Sequence, residues 1–422
     1  LERAKMSGNC RGGAAPNQKD GGALNGLKVA DFSWVIAGPM ATKCLGDYGA
    51  TVVRIESSRR PDVSRMAAGP WVDGKPGLNH AAPYHVYNTS KYGVTLNLND
   101  PRALTVARRL VMWSDVVFEN FTPGNMERWD LGYEQVRQEK PDLIMIRCTM
   151  QGQTGIHKNM AGFGVELASM AGFQNLVGWP DRGPVGTGSA YTDYIVPWYA
   201  LIATMAALEH RDRTGEGLCV DLSQFEASLS FLSPAILDYT VNNRITGRSG
   251  NRCLRAAPHG VYRCKGEDRW CAISVFTEEQ WKALCSAIGY TDLAGNPNFA
   301  SLPRRKENED ELDRLIGAWT KDRPAEEVMS TLQEVGVGAG VVQNGRDLCQ
   351  DPHLKDRKHF QWLEHPELGS VMYEAPPFSL SRTPSRLRPA PSLGEHNEYV
   401  CREFLGMSDE EFIQLHTNGA FE

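Results

Sequence analysis

The chain has 422 residues, 41% of them hydrophobic and 23% charged, and its net charge of −6 comes from both signs spread along its length. That length supports a large core and two or three domains, and without a basic block or an acidic tail neither nucleic acid nor a solvating segment is expected. The ten cysteines form no CxxC and no Cys/His cluster at zinc spacing, so neither a metal site nor a disulfide framework is expected, and a reducing cytoplasm is the simplest compartment.

Residues 1–25, rich in Gly, Asn and Lys and lacking an apolar signal core, are set aside as a flexible N-terminal segment. From residue 26 strands and helices alternate. Residues 27–32 (LKVADF) read as a buried strand, Ala37-Gly38-Pro39 as a small-residue turn and 40–48 as a helix. Residues 50–56 are a strand, 101–114 a helix, 115–118 a strand, 124–138 a helix and 143–147 a strand. This alternation predicts an α/β fold whose parallel sheet is covered on both faces, with ligands beyond the carboxyl ends of the strands. Residues 152–188 are glycine-dense and read as loop around a site. A long helix from 194 to about 211 follows, then a strand at 218–222 and a helix at 223–243. The longest apolar run, 194–208, has 15 residues and contains Pro197, so it reads as a buried helix and no membrane span is expected.

Beyond residue 246 the pattern changes to antiparallel strands at 260–264 and 270–275 with amphipathic helices at 278–288, 309–320 and 325–334. The expected organisation is a large domain in two parts, 26–244 and 346–422, with a smaller α+β domain inserted at 245–345. Glu56 ends the second strand where a dehydrogenase holds ribose, but no G-x-G-x-x-G precedes it; P-loop, G-x-S-x-G and HExxH motifs are absent as well.

An ordered series of motifs resembles the family III CoA-transferases, the group of formyl-CoA transferase, carnitine CoA-transferase and α-methylacyl-CoA racemase. The series runs through Val29-Ala30-Asp31-Phe32, Leu45-Gly46-Asp47-Tyr48-Gly49-Ala50, Val53-Arg54-Ile55-Glu56, Asn88 and Lys91. It continues with Glu119-Asn120-Phe121-Thr122-Pro123-Gly124, Leu131-Gly132-Tyr133, Gly152-Gln153-Thr154-Gly155, Arg213-Thr214-Gly215-Glu216-Gly217 and Leu393-Gly394-Glu395-His396. The resemblance implies a large Rossmann-like domain whose parallel sheet is made from both chain ends, and dimers interlocked like rings.

In that family the nucleophile is an Asp just before the long helix, here Asp193 in Ser189-Ala190-Tyr191-Thr192-Asp193. A carboxylate at a helix N-terminus is stabilised by the macrodipole by roughly 0.3–1 kcal/mol when exposed. Such a carboxylate can attack a thioester to give an aspartyl anhydride and then an aspartyl-CoA thioester. From position alone, Asp193 or Thr192 could equally cap the helix.

The resemblance also places Val35, Ile36 and Ala37 near the thioester, and Lys91, Asn120, Phe121 and Arg128 along the nucleotide and pantetheine, the two cations facing phosphates. Trp34 and Ile36 stand where formyl-CoA transferases carry His and Gln, which leans the acceptor towards a bulky or aromatic acid such as benzylsuccinate. Glu166 and His259 are further substrate candidates. The racemase His-Asp pair is missing at Gly162-Phe163-Gly164.

The implied activity is transfer of CoA from an acyl-CoA donor, succinyl-CoA in many relatives, to a carboxylic acid. Coenzyme A enters only as substrate, with no resident cofactor and no metal. The chain is expected to work as a homodimer or with a related subunit. An acyl-CoA racemase and a non-catalytic CoA-binding partner subunit are the alternatives.

Overall fold

The structure, a computed structural model, describes residues 22–66 and 69–422; the greater part of the 1–25 segment lies outside the described residues. Within the described part of that segment, the Leu24 N–H donates to the Tyr48 carbonyl at 2.9 Å, and its side chain packs on the core.

The chain divides into two compact units, the first formed by the described residues up to Gly162 with Thr192–Ala227 and His359–Glu422. It opens with β1 (Lys28–Asp31), α1 (Ala37–Asp47), β2 (Thr51–Glu56), β3 (Lys91–Thr95), α2 (Pro101–Trp113), β4 (Val116–Glu119) and β5 (Ile144–Thr149). The helix α3 (Tyr191–Thr214) and β6 (Cys219–Ser223) complete the α/β part. The six strands form one parallel sheet in the order β3-β2-β1-β4-β5-β6.

Alternate residues of these strands enter two separate cores, as the pleat requires. Ala30, Val53, Val117 and Met145 face one core, while Val29, Val52, Val116, Ile144 and Ile146 face the other. On the first face α2 presents Ala103, Val106, Ala107, Leu110 and Val111, one apolar stripe at helical spacing. Its start is set by Asp100, whose carboxylate accepts from the Arg102 N–H at 2.8 Å, and by Pro101.

The expectation that both chain ends build the sheet is corrected: all six strands lie between Lys28 and Ser223. The last segment instead closes the first core with Val400, Cys401, Met407, Phe412 and Phe421.

The second unit comprises Phe163–Tyr191 and Ser228–Lys358. Its antiparallel sheet orders β7 (His259–Arg263), β8 (Trp270–Ser274) and β9 (Gly338–Val341). The helices Glu278–Ala287, Glu309–Thr320 and Ala325–Glu334 enclose Trp281, Leu284, Ile316 and Val328 with it. The chain then returns through the hairpin β10 (Phe360–His365) and β11 (Gly369–Glu374). The units therefore change at 163, 192, 228 and 359, where sequence pattern placed the changes at 245 and 346. The glycine-dense stretch holds two short helices, Gly164–Met170 and Phe173–Leu176. No helix among the described residues is long and apolar enough to cross a membrane.

Candidate active site

In the parallel sheet, β1 lies between β2 and β4, so the chain moves outward in opposite directions on either side of it. Such a switch point leaves a crevice beyond the carboxyl ends of the strands. The loop after β1 carries Trp34, Val35 and Ile36, and the loop after β4 carries Asn120 and Phe121.

The two loops are tied together. The Trp34 N–H donates to Asn120 Oδ1 at 2.9 Å, and Asn120 Nδ2 donates to the Trp34 carbonyl at 2.8 Å. Val35 has φ of 70°, an uncommon conformation for a β-branched residue, and its N–H donates to Asp62 Oδ2 at 2.9 Å. Gly38 lets α1 begin beside this loop, because a Cβ there would overlap the Ser33 side chain.

Trp34 meets the edge of Phe121 with centroids 5.9 Å apart, and Phe121 meets Trp129 at 5.4 Å. The exposed Arg128 guanidinium lies 5.5 Å from the Trp129 ring and donates to Asn125 Oδ1 at 2.9 Å. Trp34, Val35, Ile36, Ala37, Asn120, Phe121 and Arg128 thus belong to the two linked loops and the helical turns that follow them.

Lys91 is placed differently. The sequence put it among the phosphate donors; its Nζ is turned inward, 2.9 Å from each of Asp31 Oδ2, the Pro39 carbonyl and Asn88 Oδ1. Burial draws its ammonium down to about 8, against the attraction of Asp31. Asp31 in turn holds Ser33 and Thr42, with Thr42 Oγ1 at 2.7 Å. Although burial disfavours its charge, Lys91, Arg54 and these hydroxyls hold the Asp31 carboxyl below the usual range. Lys91 therefore supports the β1 loop from beneath.

Asp193 sits in the first turn of α3, as the third residue of a helix expected to start after it, and is 7% exposed. Its Oδ1 accepts a hydrogen bond from Gln224 Nε2, which also lies 3.2 Å from Thr192 Oγ1. Four residues on, Pro197 has no N–H to return to the Asp193 carbonyl, so the helical ladder is interrupted at this turn. Val196 enters one core with Ala37, Phe118, Ile146 and Cys148, which anchors the start of α3 against the ends of β4 and β5. Beside Asp193 in the chain, the Tyr194 hydroxyl meets that of Tyr87 at 2.6 Å.

The loop after β5 follows the same edge. Thr149 pairs with Ser223 in the ladder, the Phe225 N–H donates to the Met150 carbonyl at 2.9 Å, and the Gln153 N–H donates to Asp221 at 2.8 Å. Thr149 Oγ1, Gln151 Nε2 and Gln153 Nε2 are buried with no partner among the described residues, an unusual concentration of unpaired polar atoms. Nearby, Glu119 is fully buried and bonded to Arg147 at 2.8 Å; burial, outweighing Arg147, pushes its carboxyl up to about 7. Burial, then the charges of Glu119 and Asp193, keeps the Cys148 thiol protonated.

Glu166 and His259 belong to the second unit. Glu166 accepts from the Phe163 N–H at 3.1 Å, closing the start of its own helix. His259 Nδ1 lies 2.5 Å from the Asn251 carbonyl oxygen, and the residue lines a cavity of about 460 Å³ with Arg252, Ser274 and Gly338. Among the described residues no group of three His, Cys, Asp or Glu side chains is arranged to hold a metal.

Sequence reasoning missed Gln224, Gln151, Asp62 and the tyrosine pair. For Gln224 a signal existed: it is the first residue after the strand CVDLS, at the carboxyl edge where ligand groups gather.

A family model described as CoA-transferase family III matches residues 24–397. Succinyl-CoA–D-citramalate CoA-transferase of Chloroflexus aurantiacus is 31% identical over 393 residues, 93% of this chain and 96% of that protein. The beta subunit of succinyl-CoA–L-malate CoA-transferase of the same organism is 31% identical over 397 residues, 93% and 96% of the two chains. A crystal structure of a CaiB/BaiF family protein from Brucella suis matches with a TM-score of 0.84 at 29% identity, covering 91% of this chain and all of that one.

Proposed function

Because the chain belongs to CoA-transferase family III and is a CoA-transferase, we propose that it carries CoA from succinyl-CoA to a dicarboxylic acid through covalent intermediates on Asp193. The observation that carries this reading is a buried carboxylate in the first turn of a 24-residue helix, bonded by a buried carboxamide.

Asp193 attacks the thioester carbonyl of the donor; the C–S bond breaks, leaving a mixed anhydride and the CoA thiolate. The thiolate attacks the aspartyl carbonyl and expels succinate, giving an aspartyl-CoA thioester. The acceptor carboxylate attacks that thioester and releases the thiolate. The thiolate then attacks the acceptor's acyl carbon and restores the Asp193 carboxylate. No water enters.

The linked β1 and β4 loops receive CoA, with Arg128 as a phosphate donor and Phe121 and Trp129 as aromatic surface. The relatives above are named for D-citramalate and L-malate, which supports a dicarboxylic acceptor. Half-buried Trp34 and Ile36 favour one with an apolar substituent, as in benzylsuccinate. The working form is an interlocked homodimer; the helix Ser233–Asn242 has no buried residue and carries exposed Leu237, Tyr239 and Val241, which supports a covering partner. Sedimentation velocity of the chain alone should give a dimer, and a monomer would sink that assembly.

The test of the reaction is mass spectrometry after incubation with succinyl-CoA and hydroxylamine. A hydroxamate on Asp193, absent in Asp193→Ala together with all exchange activity, is expected. Full exchange activity in Asp193→Ala would refute the mechanism.

A further inference from the structure

Gln224, which opens the short helix Gln224–Leu229, combines three properties. It is 5% exposed, it follows β6 directly, and its Nε2 donates to Asp193 Oδ1. A carboxamide cannot titrate, so its N–H groups are donors at every pH. The residue is held in place: Ser223 pairs with Thr149 in the sheet, and the next residue, Phe225, donates to the Met150 carbonyl at 2.9 Å. The donor is thus fixed before any substrate arrives.

A carboxylate that attacks a carbonyl uses one oxygen and keeps the other as the carbonyl oxygen of the new anhydride. The Gln224 contact marks Oδ1 as the retained oxygen. We propose that Gln224 is a catalytic residue, the oxyanion donor for the two steps in which the carbonyl carbon of Asp193 is itself attacked. This rests on the covalent Asp193 reading and adds a role to it.

In the first of those steps the CoA sulfur bonds to Asp193 Cγ, and the electron pair of the C=O bond moves onto Oδ1. It returns as the anhydride C–O bond breaks and succinate leaves. In the second, an acceptor carboxylate oxygen bonds to Cγ of the aspartyl-CoA thioester, charge again gathers on Oδ1, and the C–S bond breaks to free the thiolate. In each, Oδ1 passes from a neutral carbonyl oxygen to an oxyanion, so the hydrogen bond from Gln224 strengthens on the way to the transition state. Formation of the first anhydride does not draw on this contact, because there the charge gathers on the thioester oxygen of the substrate.

That difference provides the test. Gln224→Met, close in shape but without a donor, and Gln224→Asn, one methylene short, are compared with Asp193→Ala and the unmodified chain. The readings are succinyl-CoA exchange across the pH range, CoA affinity by calorimetry, and hydroxylamine labelling of Asp193. The expected result for the Gln224 variants is a fall in the pH-independent plateau of kcat of about 10²–10³-fold with CoA affinity retained, and slowed Asp193 labelling, because hydroxylamine attacks the same Cγ. Gln224→Asn keeps a buried amide, so it decides the matter should Gln224→Met fail to fold. An unchanged plateau, a shift confined to the acid limb, or labelling at the unmodified rate would each overturn the oxyanion role. Exchange that survives Asp193→Ala would instead refute the covalent reading beneath it.

Discussion

Trp34 and Asn120, 86 residues apart, are paired twice: the Trp34 backbone donates to the Asn120 side chain at 2.9 Å and accepts from it at 2.8 Å. This reciprocal bond joins the loops on the two sides of the switch point. Asn120→Ala removes both bonds, each worth about 1 kcal/mol net, and is expected to raise KM for the acyl-CoA by up to about 30-fold with little effect on kcat. Asn120→Asp keeps the acceptor and loses the donor, so its KM should fall between the two. Steady-state kinetics with the acyl-CoA varied decide this.

Lys91 separates a structural cation from a ligand-binding one. Its removal leaves Asp31 buried without its ammonium partner, a loss of about 3–5 kcal/mol in comparable buried pairs. Lys91→Met is therefore expected to lower stability in urea by that order, while the folded fraction retains CoA affinity. Weakened CoA binding at unchanged stability would return Lys91 to the phosphate-binding set.

The hydroxyls of Tyr87 and Tyr194 are 2.6 Å apart, and one O–H···O bond between them uses only one of their two protons. We predict that the second proton serves a ligand group beside Asp193, whose charge acts on the Tyr87 hydroxyl. Tyr87→Phe and Tyr194→Phe should each raise KM for the acceptor acid by a factor equivalent to about 1 kcal/mol, and the double variant should be no worse than either. Additive losses in that cycle would show that the two act separately.

Two buried groups bend the stability–pH curve in opposite directions. Burial raises Glu119 from 4.5 to about 7. The folded chain therefore holds the extra proton in that interval, and stability falls as pH rises through it. Burial lowers His85 from 6.5 to about 4. There the unfolded chain holds the extra proton, and stability falls as pH drops through the interval. At 1.36 kcal/mol per pH unit each effect amounts to about 3 kcal/mol across its window. Urea unfolding at several pH values should show stability rising with pH in Glu119→Gln and falling with pH in His85→Asn. Parallel curves for the two variants would contradict both assignments.

Strands made of apolar runs, such as the VVRIE of β2 and the IMIRCT of β5, were legible in the sequence because burial on both faces removes polar alternation. β3 was not, because KYGVT opens with a lysine whose charge is balanced by Asp31, 60 residues away. The helix expected over 124–138 is two short turns, Asn125–Arg128 and Tyr133–Val136, broken where Asp130 adopts φ of 55°. In the candidate site, Asp193 and the β1 and β4 loops were reached through motifs. Gln224 was not, since its role depends on a contact 31 residues away that exists only once α3 and β6 lie side by side.

The tail that closes the first core has a consequence for the chain's synthesis. The sheet is complete in sequence at Ser223, yet Val400, Phe412 and Phe421, which cover its α2 face, emerge about 200 residues later. At about 5–20 residues per second, the nascent sheet waits roughly 10–40 s with part of that face open to water. Over that interval the growing polypeptide presents a ready surface to holdase chaperones, and a stall in translation between these points would leave it aggregation-prone.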